Sequence, residues 1–102
     1  MSALIYCPFP DRETARTVIA QLLSEKLVAC GNIHAETESH FMFEGALEQA
    51  SEIPVLLKTH ATLLEQAVER LSDLHPYEVP AVLGWQCEAV AGKTAAWLSE
   101  LI

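Results

Sequence analysis

Residues 30–59, CGNIHAETESHFMFEGALEQASEIPVLLKT, decide the fold of this chain. The stretch predicts two long strands joined by a turn at Glu44-Gly45, and the second strand ends in an apolar run at residues 53–57. Both arms are longer than the roughly 5–6 residues of a usual strand. Strand edges that extend past a domain's own sheet can pair with another chain. The hairpin therefore predicts an oligomer built through strand edges.

The length and the charge balance restrict the class of protein. A chain of 102 residues, 51% of them hydrophobic, fits one domain over residues 1–102. Six Lys and Arg residues stand against fourteen Asp and Glu residues, which gives a formal net charge of −8. Such a surface repels nucleic acid and anionic lipid. We therefore expect neither as a partner.

Cysteine usage and the N-terminal sequence predict the compartment. No basic stretch precedes an apolar segment near the N-terminus, and no apolar run approaches the roughly 18 residues of a membrane span. The three cysteines, Cys7, Cys30 and Cys87, have no C-x-x-C spacing and are expected to be free thiols. We expect a cytoplasmic protein.

The spacing of apolar residues outside the hairpin predicts the other elements. In chain order they are a strand at residues 3–7, a helix from the N-cap Asp11 to about Lys26, a helix opened by a Thr62-x-x-Glu65 capping box and ended before His75, a strand at 81–87 and a helix at 94–102. The order β-α-β-β-α-β with a helical tail predicts an α+β, ferredoxin-like sandwich. Both long helices should cover one face of an antiparallel sheet whose first and third strands are central.

We expect one end of this sheet to collect polar side chains. If the first and third strands run parallel, their C-terminal ends lie at the same end of the sheet. Cys7 and Lys58 are then both at that end. The loop before the last strand should bring His75 and Tyr77 there. The turn at Glu44-Gly45 is then expected at the opposite end.

Cys7 and His75 are the candidate metal ligands in this group. A thiolate and an imidazole suit copper or zinc better than hard ions such as Mg²⁺. The alternative is structural, with Cys7 filling the core and His75 interacting with a helix C-terminus. Two ligands make an incomplete site, so a metal ion would also need water or a neighbouring subunit.

A second set of candidates lies on the first arm of the hairpin. Strand alternation would place His34, Glu36, Glu38 and His40 on one face, where adjacent His and Glu side chains could hold a metal ion. The alternative is the solvated face of a half-exposed strand. Pro54, inside the second arm, predicts an edge or a bulge there.

The sequence offers no catalytic constellation. It contains neither G-x-S-x-G nor H-E-x-x-H, and its four glycines are scattered singly. Lys58 is expected to form a structural ion pair with Glu78 or Asp11 rather than to act in catalysis. We therefore do not expect an enzyme.

One further set of residues matches the pattern of a known family: a Cys-x-x-Pro-Asp run at 7–11, SEKLVAC at 24–30 followed by Asn32, then Ser39, Glu44-Gly45, Glu52, Leu-Lys-Thr at 57–59, His-Pro-Tyr-Glu-Val-Pro at 75–80, and Trp97. Through these residues the chain resembles the CutA divalent-cation tolerance family over nearly its whole length. The resemblance implies a homotrimer whose long hairpins pair across subunits. It also implies binding of copper and other divalent ions, with Cys7 as the thiol and His75 as a histidine of the site. Leu74 stands where some members have a second histidine.

We consider two functions, of which the first follows from this resemblance and the second belongs to a different class. The first is a non-enzymatic homotrimer that binds copper or other divalent ions and contributes to metal-ion tolerance, with no obligatory cofactor. The second is a signalling or scaffold trimer, similar in architecture to PII-like regulators, which binds a small metabolite or a partner protein in clefts between subunits. Lys58 and Tyr77 would contact the ligand in that second case.

Overall fold

The longest strand, β4, organises the sheet. The structure is a computed structural model that describes residues 1–102, and its sheet has the order β2-β4-β1-β5 with β3 paired to the outer part of β4. The strands are β1 (Ser2–Phe9), β2 (Cys30–Ile33), β3 (Thr37–Phe43), β4 (Ala46–His60) and β5 (Leu83–Gln86). All pairings are antiparallel. The predicted α+β class and the central position of the first and third predicted strands are confirmed.

The first helix, α1 (Arg12–Ser24), begins as the sequence predicts. Its N-cap Asp11 accepts a 2.7 Å hydrogen bond at Oδ1 from the Thr14 backbone N–H. This hydrogen bond lowers the pKa of the Asp11 carboxyl. The chain leaves the helix through Lys26, whose φ of 59° is in the left-handed region common after helix ends.

The second helix, α2 (Leu64–Leu74), begins differently from the prediction. A single 3₁₀ turn (Ala61–Leu63) precedes it, and the side chain of His60 accepts the Thr62 backbone N–H at 3.1 Å. The predicted Thr62 capping box is therefore wrong, because the 3₁₀ turn moves the cap to His60. The helix ends before His75, as the following proline requires.

The two long helices cover one face of the sheet and enclose the core. Buried side chains of α1 and α2 pack against alternating residues of β1 and β4, and the core comprises Ile5, Cys7, Phe9, Ala15, Val18, Ile19, Leu22, Leu27, Val28, Val55, Leu57, Ala67 and Leu71. The third helix, α3 (Gly92–Ser99), contacts β1 and β4 through the buried Leu98. None of the helices combines the length and apolar content that a membrane crossing requires.

The direction of the two central strands differs from the prediction. β1 and β4 are antiparallel, with Leu4 opposite Lys58 and Cys7 opposite Val55. The expected parallel arrangement is wrong because the α1 crossover returns the chain parallel to β1 and the following hairpin then reverses it. Lys58 therefore lies at the end of the sheet away from Cys7, three residues or about 10 Å along β1.

The hairpin contains a bulge at the proline. Ile33 pairs with Val55, whereas Thr37 pairs with Glu52, so residues 34–36 oppose only two residues of β4. One extra residue in one strand defines a β-bulge. The carbonyl of Pro54 accepts a 2.9 Å hydrogen bond from the His34 backbone N–H within the bulge. Proline has no N–H to return, and the His34 carbonyl accepts a hydrogen bond from Arg12. The predicted bulge is present at this point of the hairpin, but its extra residue lies in the first arm, opposite Pro54.

The outer part of the hairpin extends beyond the Cys7 end of the sheet. Glu44 and Gly45 have φ values of 50° and 80°, the two positive angles of a type I′ turn. The predicted turn position is correct, but the turn lies at the same end as Cys7 and not at the opposite one, because β4 is antiparallel to β1. Apolar side chains near the turn remain exposed: Phe41, Met42, Phe43 and Leu47.

Candidate functional site

His75 fastens the loop before β5 to the end of β1. Its side chain is 6% exposed, and Nε2 donates a 2.8 Å hydrogen bond to the Pro8 carbonyl oxygen. The Tyr77 backbone N–H donates to Nδ1 at 3.1 Å. Since a carbonyl can only accept and an N–H can only donate, the ring is the neutral tautomer with its proton on Nε2. Both ring nitrogens are therefore engaged within the chain.

Aromatic packing holds the same imidazole from two sides. Phe9 stacks on His75 with ring centroids 4.6 Å apart and an angle of 26° between the planes. Tyr77 contacts His75 at 4.7 Å with a tilt of 55°. These spacings fall within the range of favourable aromatic pairs. The sequence predicts that Cys7, His75 and Tyr77 meet at one end of the sheet, and the structure brings them together there.

Glu52 belongs to the same cluster, although nothing in the local sequence around it indicates a role in a site. It is only 8% exposed, and its Oε2 accepts a 2.9 Å hydrogen bond from the Tyr77 hydroxyl. Burial, followed by the hydrogen bond to Glu52, raises the pKa of Tyr77 to about 12. The phenol therefore stays protonated at neutral pH and donates to the carboxylate.

The Cys7 thiol is fully enclosed beside this carboxylate. The residue is 0% exposed, and its Sγ lies 3.6 Å from the Pro8 carbonyl oxygen. Burial, followed by the negative charge of Glu52, raises the pKa of Cys7 to about 12. Burial and the negative charge of Glu52 both disfavour the ionised form of the thiol. Cys7 is consequently a protonated thiol at neutral pH.

This donor set does not by itself fit a metal ion. Metal ligation needs a thiolate and a free imidazole lone pair. Here the thiol is held protonated, and both nitrogens of His75 are hydrogen-bonded. No group of three or more His, Cys, Asp and Glu side chains in the chain has the arrangement to hold a metal ion. The two residues are placed as predicted, whereas ligation by them stays a prediction.

Lys58 is absent from this cluster. It lies on β4 six residues beyond Glu52, about 20 Å along the strand. The prediction that Lys58 shares an end of the sheet with Tyr77 is wrong, because β1 and β4 are antiparallel. The predicted ion pair with Glu78 or Asp11 is also wrong, since no carboxylate lies within 4.0 Å of its ammonium.

The predicted stripe on the hairpin is only half formed. His40 Nε2 and Glu38 Oε2 are 2.7 Å apart on exposed side chains of β3. His34 and Glu36 fall in the bulge before β3 and are exposed. The expectation of four side chains on one strand face is wrong, because the extra residue of the bulge interrupts the alternation.

A cleft of about 340 Å³ opens beside the Glu52–Tyr77 hydrogen bond. The overhanging hairpin forms one wall with Phe41 and Phe43, and Pro8 and Pro80 contribute to the other walls. Glu52 is the acidic group of this lining. Largely apolar walls with a few placed polar groups are typical of small-molecule sites.

The comparisons with known proteins agree over nearly the whole chain. The model of the CutA1 divalent ion tolerance protein family matches residues 3–101. The chain belongs to the CutA1 family. The divalent-cation tolerance protein CutA of Pyrococcus horikoshii is 38% identical over 97 residues, which cover 95% of this chain and 94% of that protein.

Solved CutA1 structures have the same fold. The crystal structure of CutA1 from Pyrococcus horikoshii superposes with a TM-score of 0.89 at 36% identity and covers 97% of this chain and 96% of its own. The periplasmic divalent cation tolerance protein CutA of Archaeoglobus fulgidus gives a TM-score of 0.92 at 29% identity, with 99% and 98% coverage. The resemblance to the CutA family predicted from residues 7–11 and 75–80 is confirmed.

Proposed function

We propose that the chain is a homotrimer that acts in divalent metal-ion tolerance by binding copper or other divalent ions, without catalysing a reaction. The match of the CutA1 divalent ion tolerance model to residues 3–101 is the observation that carries the proposal. The net charge of −8 adds support, because an acidic surface raises the local concentration of cations.

Support for the trimer comes from the outer part of the hairpin. Met42 and Leu47 pair across β3 and β4 and are 66% and 78% exposed in the single chain. Phe41 and Phe43 lie on the opposite face of the hairpin, because side chains alternate along a strand, so both faces expose apolar groups. The Met42–Leu47 face is an apolar strip that a soluble monomer would rarely leave uncovered. Pairing of hairpins between chains would cover this strip and the free strand edges.

The trimer is tested by light-scattering mass. We expect a mass near three chains for the wild type and a smaller mass for a Met42→Lys, Leu47→Lys double variant. Leu23→Lys is the matched control, since Leu23 is a half-exposed apolar residue on α1, away from the hairpin. A wild-type monomer, or a double variant that keeps the full mass, would contradict the proposal.

For copper, we propose Cys7 and His75 as the soft ligands. An ion would have to displace the thiol proton and one hydrogen bond of His75, and it would need further donors from water or a neighbouring copy. Metal analysis of the reduced protein after copper(I) loading tests this, with Cys7→Ala, His75→Ala as the variant. Cys30→Ala and Cys87→Ala are controls that remove a thiol elsewhere. Unchanged copper stoichiometry in the double variant would rule out this pair.

The cleft beside Glu52 favours one alternative function, a signalling or scaffold trimer that binds a small metabolite or a partner protein. The apolar walls and the carboxylate–phenol pair offer both contact area and polar recognition. Thermal stabilisation of the protein by a metabolite, and by no metal ion, would favour this alternative.

The proposed location is the cytoplasm. The three cysteines are free and none is paired, which suits a reducing compartment. The Archaeoglobus fulgidus relative is described as periplasmic. Fractionation of the native host with an antibody to the chain would decide between these compartments.

A further inference from the structure

A second cleft, far from Cys7, lies between the first turn of α3 and the sheet. Its volume is about 240 Å³. Ser2, Leu4 and Lys58 contribute from the strands, and Cys87, Thr94 and Leu98 contribute from the C-terminal segment. The volume is several times the roughly 30 Å³ of a water molecule in the liquid, so a small organic molecule fits.

The cationic group of this cleft has no protein partner. Lys58 is one of only six Lys and Arg residues in a chain with fourteen carboxylates. By contrast, Arg70 binds Glu25 through three hydrogen bonds, and Arg12 donates to the His34 carbonyl. No carboxylate lies within 4.0 Å of the Lys58 ammonium. This ammonium is therefore free to bind an anion.

The helix beside it presents a second positive element. α3 begins at Gly92, and its N-cap Ala91 supplies no side-chain hydrogen bond. The first N–H groups of a helix have no partner within the helix, and its N-terminus carries partial positive charge. Ala91 and Thr94 both line the cleft, so the first turn of α3 borders it. Backbone N–H groups in this position bind phosphate and other anions.

An unsatisfied buried hydroxyl provides an independent indication of a ligand. Ser2 is 3% exposed, and its Oγ is the one buried side-chain polar atom in the chain without a hydrogen-bond partner. Buried polar groups in folded proteins are almost always paired, so an exception calls for an explanation. Ser2 lies on the wall of this cleft, beside the strand that carries Lys58. A bound oxyanion would accept the hydroxyl proton.

We propose that this cleft binds the phosphate group of a small organic molecule. Lysine binds phosphate as a point charge, and the hydroxyl of Ser2 and the N–H groups of α3 add donors. Seven of the ten lining residues are hydrophobic, which favours a ligand with an apolar portion next to its phosphate. The inference depends neither on the proposed metal binding nor on the trimer.

The experiment measures amide chemical shifts and affinities by NMR titration of the full-length reduced protein. The probes are inorganic phosphate and phenyl phosphate, each compared with sodium chloride at equal ionic strength. Shifts should concentrate at residues 2–4, 58 and 91–94. Binding of both probes would mean that the phosphate alone is recognised, and binding of phenyl phosphate alone would mean that the apolar portion is also needed. Either outcome supports the site, whereas saturable binding of neither probe would overturn it.

Variants separate a built site from a general charge effect. Lys58→Met keeps an unbranched side chain but removes the ammonium, and Ser2→Ala removes the unpaired hydroxyl. Each should weaken phosphate-probe binding about tenfold or more, the effect of losing a hydrogen bond to a charged group. Arg16→Met removes one charge from an exposed position on α1 and should change the affinity less than twofold. Equal weakening by Arg16→Met and Lys58→Met, or no effect of either cleft variant, would refute the proposal.

Discussion

Replacing Cys7 with alanine should change how the stability of the protein depends on pH. Cys7 is fully buried in the core, and its pKa is raised from 9.0 to about 12 by burial and by the charge of Glu52. In the unfolded chain the thiol regains its ordinary pKa. Above about pH 9 the unfolded state therefore loses a proton that the folded state keeps.

The sign and the size of the effect follow from this difference. The contribution of Cys7 to stability is fully present below about pH 9 and falls by about 1.4 kcal/mol per pH unit until about pH 12. Near pH 11 the loss amounts to about 2.7 kcal/mol. The Cys7→Ala variant has no thiol and does not lose this stability at high pH. Removal of the buried sulfur, however, lowers its unfolding free energy by about 1 kcal/mol at every pH. The wild type should be the more stable protein near pH 8 and the less stable one near pH 11, with the two curves crossing near pH 10.

Urea unfolding followed by circular dichroism tests this at several values from about pH 8 to pH 11. Reductant and a chelator are present, and the chain concentration is held constant because an oligomer's stability depends on it. Cys30→Ala is the control, since it removes a thiol that is only partly buried and lies outside the Cys7 cluster. If the free-energy difference between wild type and Cys7→Ala stays constant within about 0.5 kcal/mol over this range, the raised pKa of Cys7 is refuted.

Two further substitutions test the packing around the site and the sheet. Tyr77→Phe removes the donor to the buried Glu52 and should cost about 1–2 kcal/mol of unfolding free energy; a cost below about 0.5 kcal/mol would mean that this hydrogen bond does not stabilise the fold. Gly84→Ala should lower the unfolding free energy by about 1–3 kcal/mol, because the new Cβ would lie 2.8 Å from the Leu64 side chain. The new Cβ of the control Gly92→Ala meets no atom within 4 Å, so this variant should leave the stability nearly unchanged. Equal denaturation midpoints for the two alanine variants would contradict this account of β5 and α2.

The sequence was sufficient for those parts of the fold that depend on local signals. The hairpin turn, the start of α1 at Asp11 and the end of α2 before His75 each follow from one or two residues with strong conformational preferences. The bulge at Pro54 was predictable for the same reason, because proline cannot donate to a strand ladder. These signals act through neighbouring residues, although the capping box predicted at Thr62 was displaced by the 3₁₀ turn before α2.

Strand direction was the step that failed, and it displaced a residue of the candidate site. Hydrophobic periodicity does not encode the direction of pairing, so the parallel assignment of β1 and β4 rested on topology alone. Correct counting of one helical crossover and one hairpin gives antiparallel strands, which places Lys58 opposite Leu4 and far from Cys7. Cys7 and His75 still met, because their proximity depends on β5 pairing with β1.

Glu52 was missed for a different reason. It precedes the apolar run of β4 and belongs to the residues that carry the family resemblance, yet a lone glutamate in a strand is usually solvated. Its burial depends on Tyr77, which is 25 residues away in the sequence. Tyr77 reaches Glu52 because α2 and the following loop return the chain to this end of the sheet, where His75 holds the loop to the Pro8 carbonyl. A contact of this separation leaves no periodic signal in the sequence.

The hydrogen bonds of the cluster limit the chemistry that its residue types suggest. A cysteine and a histidine at one end of a sheet match the soft ligands of copper, but His75 uses both nitrogens to hold its loop, and Cys7 lies where burial and Glu52 both oppose its thiolate. Each group therefore already has a structural role in the single chain. The same carboxylate that disfavours a thiolate would attract a cation, so the proposed ion binding would be coupled to thiol ionisation through Glu52. A Glu52→Gln substitution should consequently lower the pKa of Cys7 while weakening cation binding, two changes that a purely structural carboxylate would not produce together.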